Sequence, residues 1–430
     1  MNAAAIFSAA LAMTMILAAF MGCVDPSHSA HTDPTAAPTE APTEEPVEIT
    51  TDEPTDEPTE IPTDEPTEVP TDEPTEAPTA APTATAKATA TPKPTAAPTA
   101  TPRPTSSTSD FTEPPHESKP DPDKEPELNS KSGKYSFYQE GSALFKVDNR
   151  AFEMAYYVKN TGKKYADLVS WAAAELKGET NVYSLIIPTN YGVVLPDDIR
   201  AKISGYVDTE KSIETEYSMM SDDVLTVSCT HDMRLHRDEY LYFRTDHHWT
   251  ALGAYYAYRA FCRVKGVSEI PLSDRQEVEI KGFYGSSYKL SNYDPDLEPA
   301  DTIYAYYPVS KNAKLTLHTA DGKTHNNWPI VNKVRSYDAF AGSDNPLNVF
   351  TNPDVTDGST LIIIKESFGN ALLPFLVDHY STIYEIDYRY WSGNVIDLAR
   401  EIGATDLVFA NNFTVLSAGS KIGQIAKIVK

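Results

Sequence analysis

Two short segments, widely separated in the sequence, contain the residue types needed to attack an acyl carbon. They are TDHHW at residues 245–249 and IIKESFGN at residues 363–370. An aspartate two residues before a histidine can orient it as a base, because alternate side chains of an extended segment project to the same side. A base held in this way can activate a serine hydroxyl as a nucleophile. Asp246, His248 and Ser367 are therefore predicted to carry out ester chemistry.

Ser367 lies at the junction of a predicted strand and a predicted helix. Apolar residues at 361–365 are typical of a buried strand, and residues 370–379 have apolar positions at helical spacing. The hydroxyl is then expected at the carboxyl end of a parallel strand, where open α/β sheets bind ligands. Backbone amides near Phe368 and Gly369 could donate to a developing oxyanion. The alternative is that Ser367 is only a helix N-cap, a position that serine favours.

The histidine segment is also expected in a loop at the edge of a sheet. It follows an apolar run and precedes an amphipathic helix predicted at residues 251–264. His248 is the predicted base because Asp246 lies two residues before it, whereas His247 would point to another side. His247 and Trp249 are expected to support the loop. The alternative for any single histidine is a structural or surface imidazole.

From residue 134 to residue 430 the predicted strands and helices alternate, which indicates a parallel sheet. We expect an α/β fold, a three-layer α/β/α sandwich with right-handed crossovers. Region 269–350 breaks the alternation and is predicted to be an irregular or β-rich insertion. Its loop with Gly285 and Ser286 either assists an oxyanion near a binding site or is a simple surface turn. The predicted strands are 182–188, 224–228, 361–365, 383–386 and 407–410, and the predicted helices are 165–177, 197–206, 251–264, 370–379 and 395–402.

The first 133 residues are not expected to join the folded domain. Residues 1–23 contain an uncharged apolar stretch typical of a secretory signal. Cys23 follows a glycine and resembles a lipoprotein processing site, at which the cysteine becomes lipidated; a plain cleaved signal or an uncleaved anchor is the alternative. Residues 24–133 repeat Pro, Thr, Ala and Glu, which predicts an extended, disordered spacer. The protein is therefore predicted to be exported and anchored by lipid at the outer face of the cytoplasmic membrane or the cell surface.

Charge and cysteine content restrict the class of protein. The net charge of the chain is −26 at neutral pH, but most of this charge lies in the spacer and says little about a substrate. It gives no support for nucleic-acid binding, which requires basic patches. The predicted domain has two cysteines, Cys229 and Cys262, which lack the Cys-x-x-Cys spacing of a zinc site. They either form one disulfide or remain two buried thiols.

Longer strings around the two segments carry a family resemblance. They are FRTDHHWTALGAYYAYRAF at 243–261, a Gly-Ser-Ser-Tyr loop at 285–288 and IIIKESFGNALLPFLVDHYSTIYEIDYRYW at 362–391. These strings resemble the bacterial DHHW proteins, and the resemblance covers most of residues 135–415. That family is similar to the SGNH-hydrolase-like domains of alginate O-acetyltransferases. The resemblance thus implies an SGNH-hydrolase-like fold.

The resemblance also implies roles for individual residues. It assigns Asp246 as the orienting acid, His248 as the general base and Ser367 as the nucleophile. The family usually carries aspartate before the serine, where this chain has Glu366. If that carboxylate only braces the loop, glutamate can replace it; if it sets the geometry of the serine, activity is in doubt. Arg389 matches a basic position of the family and is expected to hold an anionic sugar or to brace its loop.

These residues predict a cell-surface O-acetyltransferase or O-acetylesterase that acts on an extracellular polysaccharide or cell-wall glycan. Tyr191 and Tyr288 are candidate sugar-facing residues. No cofactor and no metal is expected. For transfer, the resemblance implies a membrane-bound O-acyltransferase partner that supplies acetyl groups. The alternatives are a non-catalytic glycan-binding module with a degenerate site, and a metal-dependent phosphoesterase that uses Asp-His-His as ligands.

Overall fold

The computed structural model describes residues 124–430. The predicted signal segment 1–23 with its Cys23, and the predicted spacer up to residue 123, lie outside the described residues. The final part of the predicted spacer contacts the domain. The Leu128 amide donates to Asp197 Oδ2 at 3.0 Å, and the Asp197 amide donates to the Leu128 carbonyl at 2.6 Å. The folded part therefore begins before residue 134.

Thirteen strands and ten α-helices make up the described region, together with six short 3-10 helices. The strands are β1 Tyr135–Phe137, β2 Leu144–Val147, β3 Arg150–Glu153, β4 Asn181–Ile187, β5 Val224–Thr226, β6 Glu277–Phe283, β7 Asp301–Tyr306, β8 Lys314–His318, β9 Thr324–Asn327, β10 Leu347–Thr351, β11 Thr360–Lys365, β12 Thr382–Asp387 and β13 Asp406–Asn412. The α-helices are α1 Lys159–Glu175, α2 Asn190–Val193, α3 Asp197–Arg200, α4 Thr209–Tyr217, α5 Thr230–Arg234, α6 Ala251–Lys265, α7 Ser286–Leu290, α8 Leu373–Leu376, α9 Val395–Ile402 and α10 Gly419–Val429.

A large, mostly parallel sheet forms the centre of this mixed α/β fold. Its strand order is β5-β4-β13-β11-β12-β10-β8-β9, and the strands from β5 to β12 pair in parallel. Residues on both faces of β4, β11 and β13 are buried, as expected where helices cover both sides of a parallel sheet. The parallel strands thus align their carboxyl ends at one edge.

The region predicted as an insertion supplies strands to that sheet. Strands β10, β8 and β9 continue it in antiparallel pairing from β12 outward. Strands β6 and β7 form a separate antiparallel pair. The expectation of β structure between residues 269 and 350 therefore agrees with the strands observed there.

Two predicted helices differ from the observed structure. The helix expected at 197–206 is only the single turn α3, and Gly205 lies beyond it with φ of 71°. The helix expected at 370–379 consists of the 3-10 helix Ser367–Ala371, α8 and a second 3-10 helix, Val377–His379. Pro374 stands in the first turn of α8, because a proline deeper inside a helix removes a hydrogen bond and collides with the preceding turn.

None of the helices between residues 124 and 430 combines the length and the apolar character needed to cross a bilayer.

A buried ion cluster joins the parallel and antiparallel halves of the sheet. Lys365, the last residue of β11, is fully buried, and its Nζ lies 2.9 Å from Glu385, 3.2 Å from Asp344 and 3.4 Å from Asp387. Burial would lower the pKa of this lysine, but the three carboxylates outweigh burial and raise the pKa above its usual value. Arg389 pairs with Asp387 at 2.6 Å and with Asp344 at 2.7 Å. Its central residue, Lys365, lies two positions before Ser367 in the sequence.

Replacing Lys365 with methionine is expected to lower the free energy of unfolding by about 3–5 kcal/mol, because buried carboxylates then lose their paired cation. Chemical denaturation of the purified variant measures this loss. Lys281→Met is the matched control, since the Lys281 side chain is 75% exposed and, within the described part of the chain, pairs only with Glu279 at 3.4 Å. A change within about 0.5 kcal/mol is expected there. Equal losses in both variants would contradict the prediction.

Candidate active site

The two segments singled out by their chemistry meet at the carboxyl edge of the sheet. His248 Nδ1 lies 2.5 Å from Asp246 Oδ1, and His248 Nε2 lies 2.7 Å from Ser367 Oγ. A carboxylate can only accept, so Nδ1 carries the proton and Nε2 is free to accept the serine O–H. Asp246, His248 and Ser367 thus form a continuous acid–base–nucleophile line.

The histidine loop is a tight turn held at both ends. Tyr242 and Trp249 form an antiparallel bridge, and the Phe243 amide donates to the His248 carbonyl at 3.2 Å. Thr250 then caps α6 by accepting from the Gly253 amide at 3.3 Å. The turn is therefore anchored by a strand-like bridge on one side and by a helix N-terminus on the other.

Trp249 connects the two segments directly. Its indole is fully buried and its Nε1 donates to the Phe368 carbonyl at 2.8 Å. A buried indole N–H normally finds such a partner, and here the partner belongs to the residue after Ser367. Trp249 therefore fixes the serine turn relative to the histidine loop.

Asp246 is held by a second segment as well as by its own loop. Its Oδ2 accepts from the Ser286 amide at 2.7 Å and from Ser286 Oγ at 3.0 Å. A Cβ on Gly285 would lie 2.1 Å from the Asp246 Cβ, so glycine is required for this close approach. The Gly285 amide donates to Thr245 Oγ1 at 3.2 Å. The prediction that Gly285 or Ser286 assists the oxyanion is corrected, because both amides already hold the Asp246 loop.

Two aromatic rings enclose the imidazole of His248. Tyr337 stacks on it with ring centroids 3.9 Å apart and an interplanar angle of 9°. The His247 ring lies at 3.9 Å with a tilt of 34°, and its Nδ1 contacts Ser286 Oγ at 2.6 Å. Tyr337 lies in a 3-10 helix within the irregular region, so no local pattern marked it. His248 is thus held in both its plane and its position.

Burial and neighbouring charges shift the pKa values of Asp246 and His248. Burial alone would raise the pKa of Asp246, but the charges of His248 and His247 and hydrogen bonds from His248 and Ser286 bring it well below its usual range. Burial and the charge of His247 lower the pKa of His248 below 6.5, against the opposing effect of Asp246. Near neutral pH the site therefore holds an ionised aspartate and a neutral imidazole that is ready to accept a proton.

The serine turn contains two backbone amides that are unpaired among the described residues. Ser367 is the first residue of a 3-10 helix that follows β11, and its Oγ bonds to His248 rather than capping the helix. The Gly369 amide donates to the Glu366 carbonyl at 2.8 Å. It is therefore not free for an oxyanion, and the prediction that Gly369 donates to one is wrong. A Cβ there would lie 2.7 Å from Lys365 Cβ. In residues 124–430 the amides of Ser367 and Phe368 have no hydrogen-bond partner, and they are the donors available to an oxyanion.

Glu366 connects the serine turn to the neighbouring strand. Its Oε1 accepts from the Asn412 amide at 2.6 Å, and its Oε2 accepts from Asn411 Nδ2 at 3.1 Å. Asn411 Oδ1 in turn accepts from the Tyr165 hydroxyl at 3.1 Å. The carboxylate before Ser367 thus braces the loop against the end of β13, a contact that glutamate is long enough to make.

Two candidate substrate contacts have other positions than expected. Tyr191 is fully buried and stacks on Tyr206 with ring centroids 5.0 Å apart. It cannot face a sugar in this position, so that prediction is wrong. Arg389 is committed to Asp387 and Asp344, which makes it a brace for the loop beneath the serine turn rather than an uncompensated cation. Sequence patterns placed both residues after strands but could not show which way they point.

The two cysteines of the domain and the Asp-His-His group are the residues that a disulfide or a metal centre would use. Cys229 and Cys262 are buried free thiols, and burial raises their pKa values to about 12 and about 11. Asp246, His247 and His248 bring their ligand atoms within 4.8 Å of one another. The Asp246 oxygens and both His248 nitrogens are engaged in the hydrogen bonds described above, so a metal would have to displace the serine and its orienting contacts.

Solved structures of several bacterial proteins are similar to this chain. A crystal structure of a DHHW family protein from Eubacterium siraeum is 26% identical, with a TM-score of 0.61 over 67% of this chain and 96% of that one. Bacillus cereus PatB1 with a sulfonyl adduct is 17% identical, with a TM-score of 0.57 over 67% of this chain and 98% of that one. The O-acetyltransferase domain of Pseudomonas putida AlgJ is 12% identical, with a TM-score of 0.36 over 65% of this chain and 96% of that one.

Sequence comparison gives the same family. No curated protein sequence matches the chain. The sequence model of the DHHW proteins matches residues 122–386, which include the histidine loop, the serine turn and the segment that holds Asp246. Because this match spans more than half of the 430 residues, the chain belongs to the DHHW protein family.

Proposed function

We propose that this protein is a cell-surface, serine-dependent O-acetyltransferase or O-acetylesterase that acts on an extracellular glycan. The observation that carries the proposal is the hydrogen-bonded line from Asp246 through His248 to Ser367 Oγ. A neutral base within 2.7 Å of a serine hydroxyl is the arrangement that activates serine for acyl transfer. The amides of Ser367 and Phe368, which have no partner among residues 124–430, supply the donors that an oxyanion requires.

In the first half of the reaction Ser367 Oγ attacks the acetyl carbonyl, and its proton passes to His248 Nε2. The tetrahedral oxyanion accepts hydrogen bonds from the amides of Ser367 and Phe368. The leaving oxygen then takes the proton from His248, which leaves an acetyl ester on Ser367. In the second half, His248 Nε2 takes a proton from water or a sugar hydroxyl, and the oxygen of that group bonds to the acetyl carbon. The bond from that carbon to Ser367 Oγ then breaks, and Oγ takes the proton from His248, which releases the acetylated acceptor and restores both the serine hydroxyl and the neutral imidazole.

The wider setting is part of the proposal. We assign the fold to the SGNH-hydrolase-like three-layer α/β/α class, with the parallel strands covered on both faces. Export through segment 1–23, lipid attachment at Cys23 and the spacer 24–133 would hold the domain outside the membrane. Transfer would then require a membrane-bound O-acyltransferase partner, because acetyl-CoA is not supplied there, whereas hydrolysis requires no partner.

Ser367→Ala is expected to lower kcat on 4-nitrophenyl acetate by about a thousandfold or more, because the variant lacks the nucleophile. Mass spectrometry of the wild-type protein should find an acetyl or sulfonyl adduct on the peptide that contains Ser367. The sulfonyl adduct named for PatB1 suggests that reagent class. Ser218→Ala is the matched control, since Ser218 is an exposed serine bonded to the Thr215 carbonyl.

The same experiment separates the two rival functions. Wild-type activity that Ser367→Ala retains, or glycan binding without any ester turnover, would favour a non-catalytic module with a degenerate site. A stoichiometric transition metal whose removal abolishes turnover would favour the phosphoesterase and contradict the serine mechanism.

The pH dependence should follow the lowered pKa of His248. Because only the neutral imidazole accepts a proton, kcat/KM is expected to stay constant at neutral pH and to fall only below about pH 6.5, the ordinary histidine value. His247→Asn removes a charge that lowers this pKa, so the fall should move to higher pH. A pH–rate series on both proteins measures the shift; an unchanged limb in the variant would show that another group controls the rate.

Glu366→Gln is expected to lower kcat about tenfold, because an amide offers one acceptor where Asn412 and Asn411 present two donors. Glu366→Asp keeps both acceptors and the charge, and should lose less. Steady-state kinetics together with thermal unfolding test this brace. The KM for the small ester should change less than kcat, since Glu366 acts through the position of Ser367. Wild-type kcat in Glu366→Gln would show that the brace does not set the serine geometry.

A further inference from the structure

A cluster of tyrosines beside the site has no part in the chemical steps. The tyrosine platform consists of Tyr284, Tyr288 and Tyr293. The rings of Tyr284 and Tyr288 stack with centroids 4.5 Å apart, and Tyr293 meets Tyr288 edge-on at 5.5 Å. Tyr284 is 37% exposed and Tyr293 is 61% exposed. Exposed aromatic side chains grouped in this way mark a binding surface more often than single exposed residues do.

The platform is held in place before any ligand arrives. The hydroxyls of Tyr284 and Tyr288 both donate to the exposed carboxylate of Glu298, the second at 2.9 Å. Asn292 and Tyr293 adopt left-handed backbone conformations with φ of 59° and 61°, and the Tyr293 amide donates to the Tyr288 carbonyl at 2.9 Å. Left-handed backbone is unfavourable for tyrosine, and such conformations concentrate at functional positions. Rings ordered in advance lose little entropy on binding.

Partly exposed residues connect the platform to the nucleophile. Tyr284 lies two residues before Ser286, whose Oγ contacts His247 Nδ1 at 2.6 Å. The His247 ring lies against His248, which bonds to Ser367. Ser286, His247 and Ser367 are each partly accessible to solvent. The short segment that holds the catalytic aspartate therefore also carries the platform.

We propose that the tyrosine platform is a binding subsite for pyranose rings of the glycan whose O-acetyl group reacts at Ser367. The C–H groups on a sugar ring face pack on the electron-rich face of an aromatic ring, and sugar hydroxyls can donate to Glu298. Tyrosine suits such contacts because it offers a rigid, amphipathic surface. This inference rests on the proposed function, since it names how that site holds its substrate.

The test compares a polymeric substrate with a small one. Xylan and bacterial peptidoglycan, each chemically O-acetylated, serve as glycans, and 4-nitrophenyl acetate serves as the ester without a sugar. Tyr284→Ala and Tyr293→Ala are each expected to lower the ratio of kcat/KM on glycan to kcat/KM on the small ester by about three- to tenfold. Tyr284→Phe and Tyr293→Phe keep the rings and should restore most of the ratio.

Tyr156→Ala is the matched control. Tyr156 is 38% exposed, close to the value for Tyr284, and it stacks on none of the platform rings. Its ratio should equal that of the wild type. Thermal unfolding of all variants shows whether each one is folded, and Tyr293 lies seven residues beyond the Ser286 contact, so agreement between the two alanine variants excludes a local effect on Asp246.

The outcomes separate the platform from the proposed function. If the wild type turns over acetylated glycan and both alanine variants keep its ratio within twofold, the platform inference is wrong while the serine chemistry stands. If the wild type turns over no ester, the proposed function fails, and affinity for the two unmodified glycans decides on the platform: weaker binding by the alanine variants supports it, and no binding by the wild type overturns it.

Discussion

The site depends on one buried carboxylate with four hydrogen bonds. Asp246 is 3% exposed, and one oxygen accepts from the backbone and ring nitrogens of His248 while the other accepts from the amide and hydroxyl of Ser286. A buried charge is tolerated only when its lone pairs are satisfied in this way. The requirement brings two segments forty residues apart into contact and sets the orientation of the base. The carboxylate leaves no room for a side chain at Gly285. Its partners make further contacts, Ser286 with the His247 ring and His248 with the Tyr337 ring.

A second set of contacts, made by the two charged residues before Ser367, holds the serine turn in place. Glu366 bonds to the end of β13, while Lys365 ties the end of β11 to three acidic groups on neighbouring segments. Adjacent residues at this strand end are therefore held by different partners, Lys365 by carboxylates and Glu366 by neutral N–H donors. Ser367 follows both of them, so its position is set by the ion pairs of Lys365 and by the hydrogen bonds of Glu366.

Sequence patterns could predict what depends on neighbours along the chain. Buried strands appear in the sequence as apolar runs, and Asp246 and His248 are two residues apart, so both features could be predicted from the sequence. Tyr337 and Asn411 were not predicted, because each acts on a partner dozens of residues away. The interrupted helix after Ser367 was missed although Pro374 was a visible signal. Ser286 holds Asp246 instead of an oxyanion, and Tyr191 is buried instead of facing a sugar. Both differences depend on side-chain direction, which tertiary packing decides.

The bond between His248 and Ser367 joins residues 119 positions apart, and Tyr337, which stacks on the base, comes from a strand connection between them. Contacts of such long range form late, because the chain must close large loops before they stabilise anything. Ser367 therefore meets His248 in the observed geometry only when β11, β13 and the irregular region have all docked. The hydrogen bond between Ser367 and His248 thus exists only in a chain whose distant segments have come together, and a partly folded chain would leave the Ser367 hydroxyl without its imidazole partner.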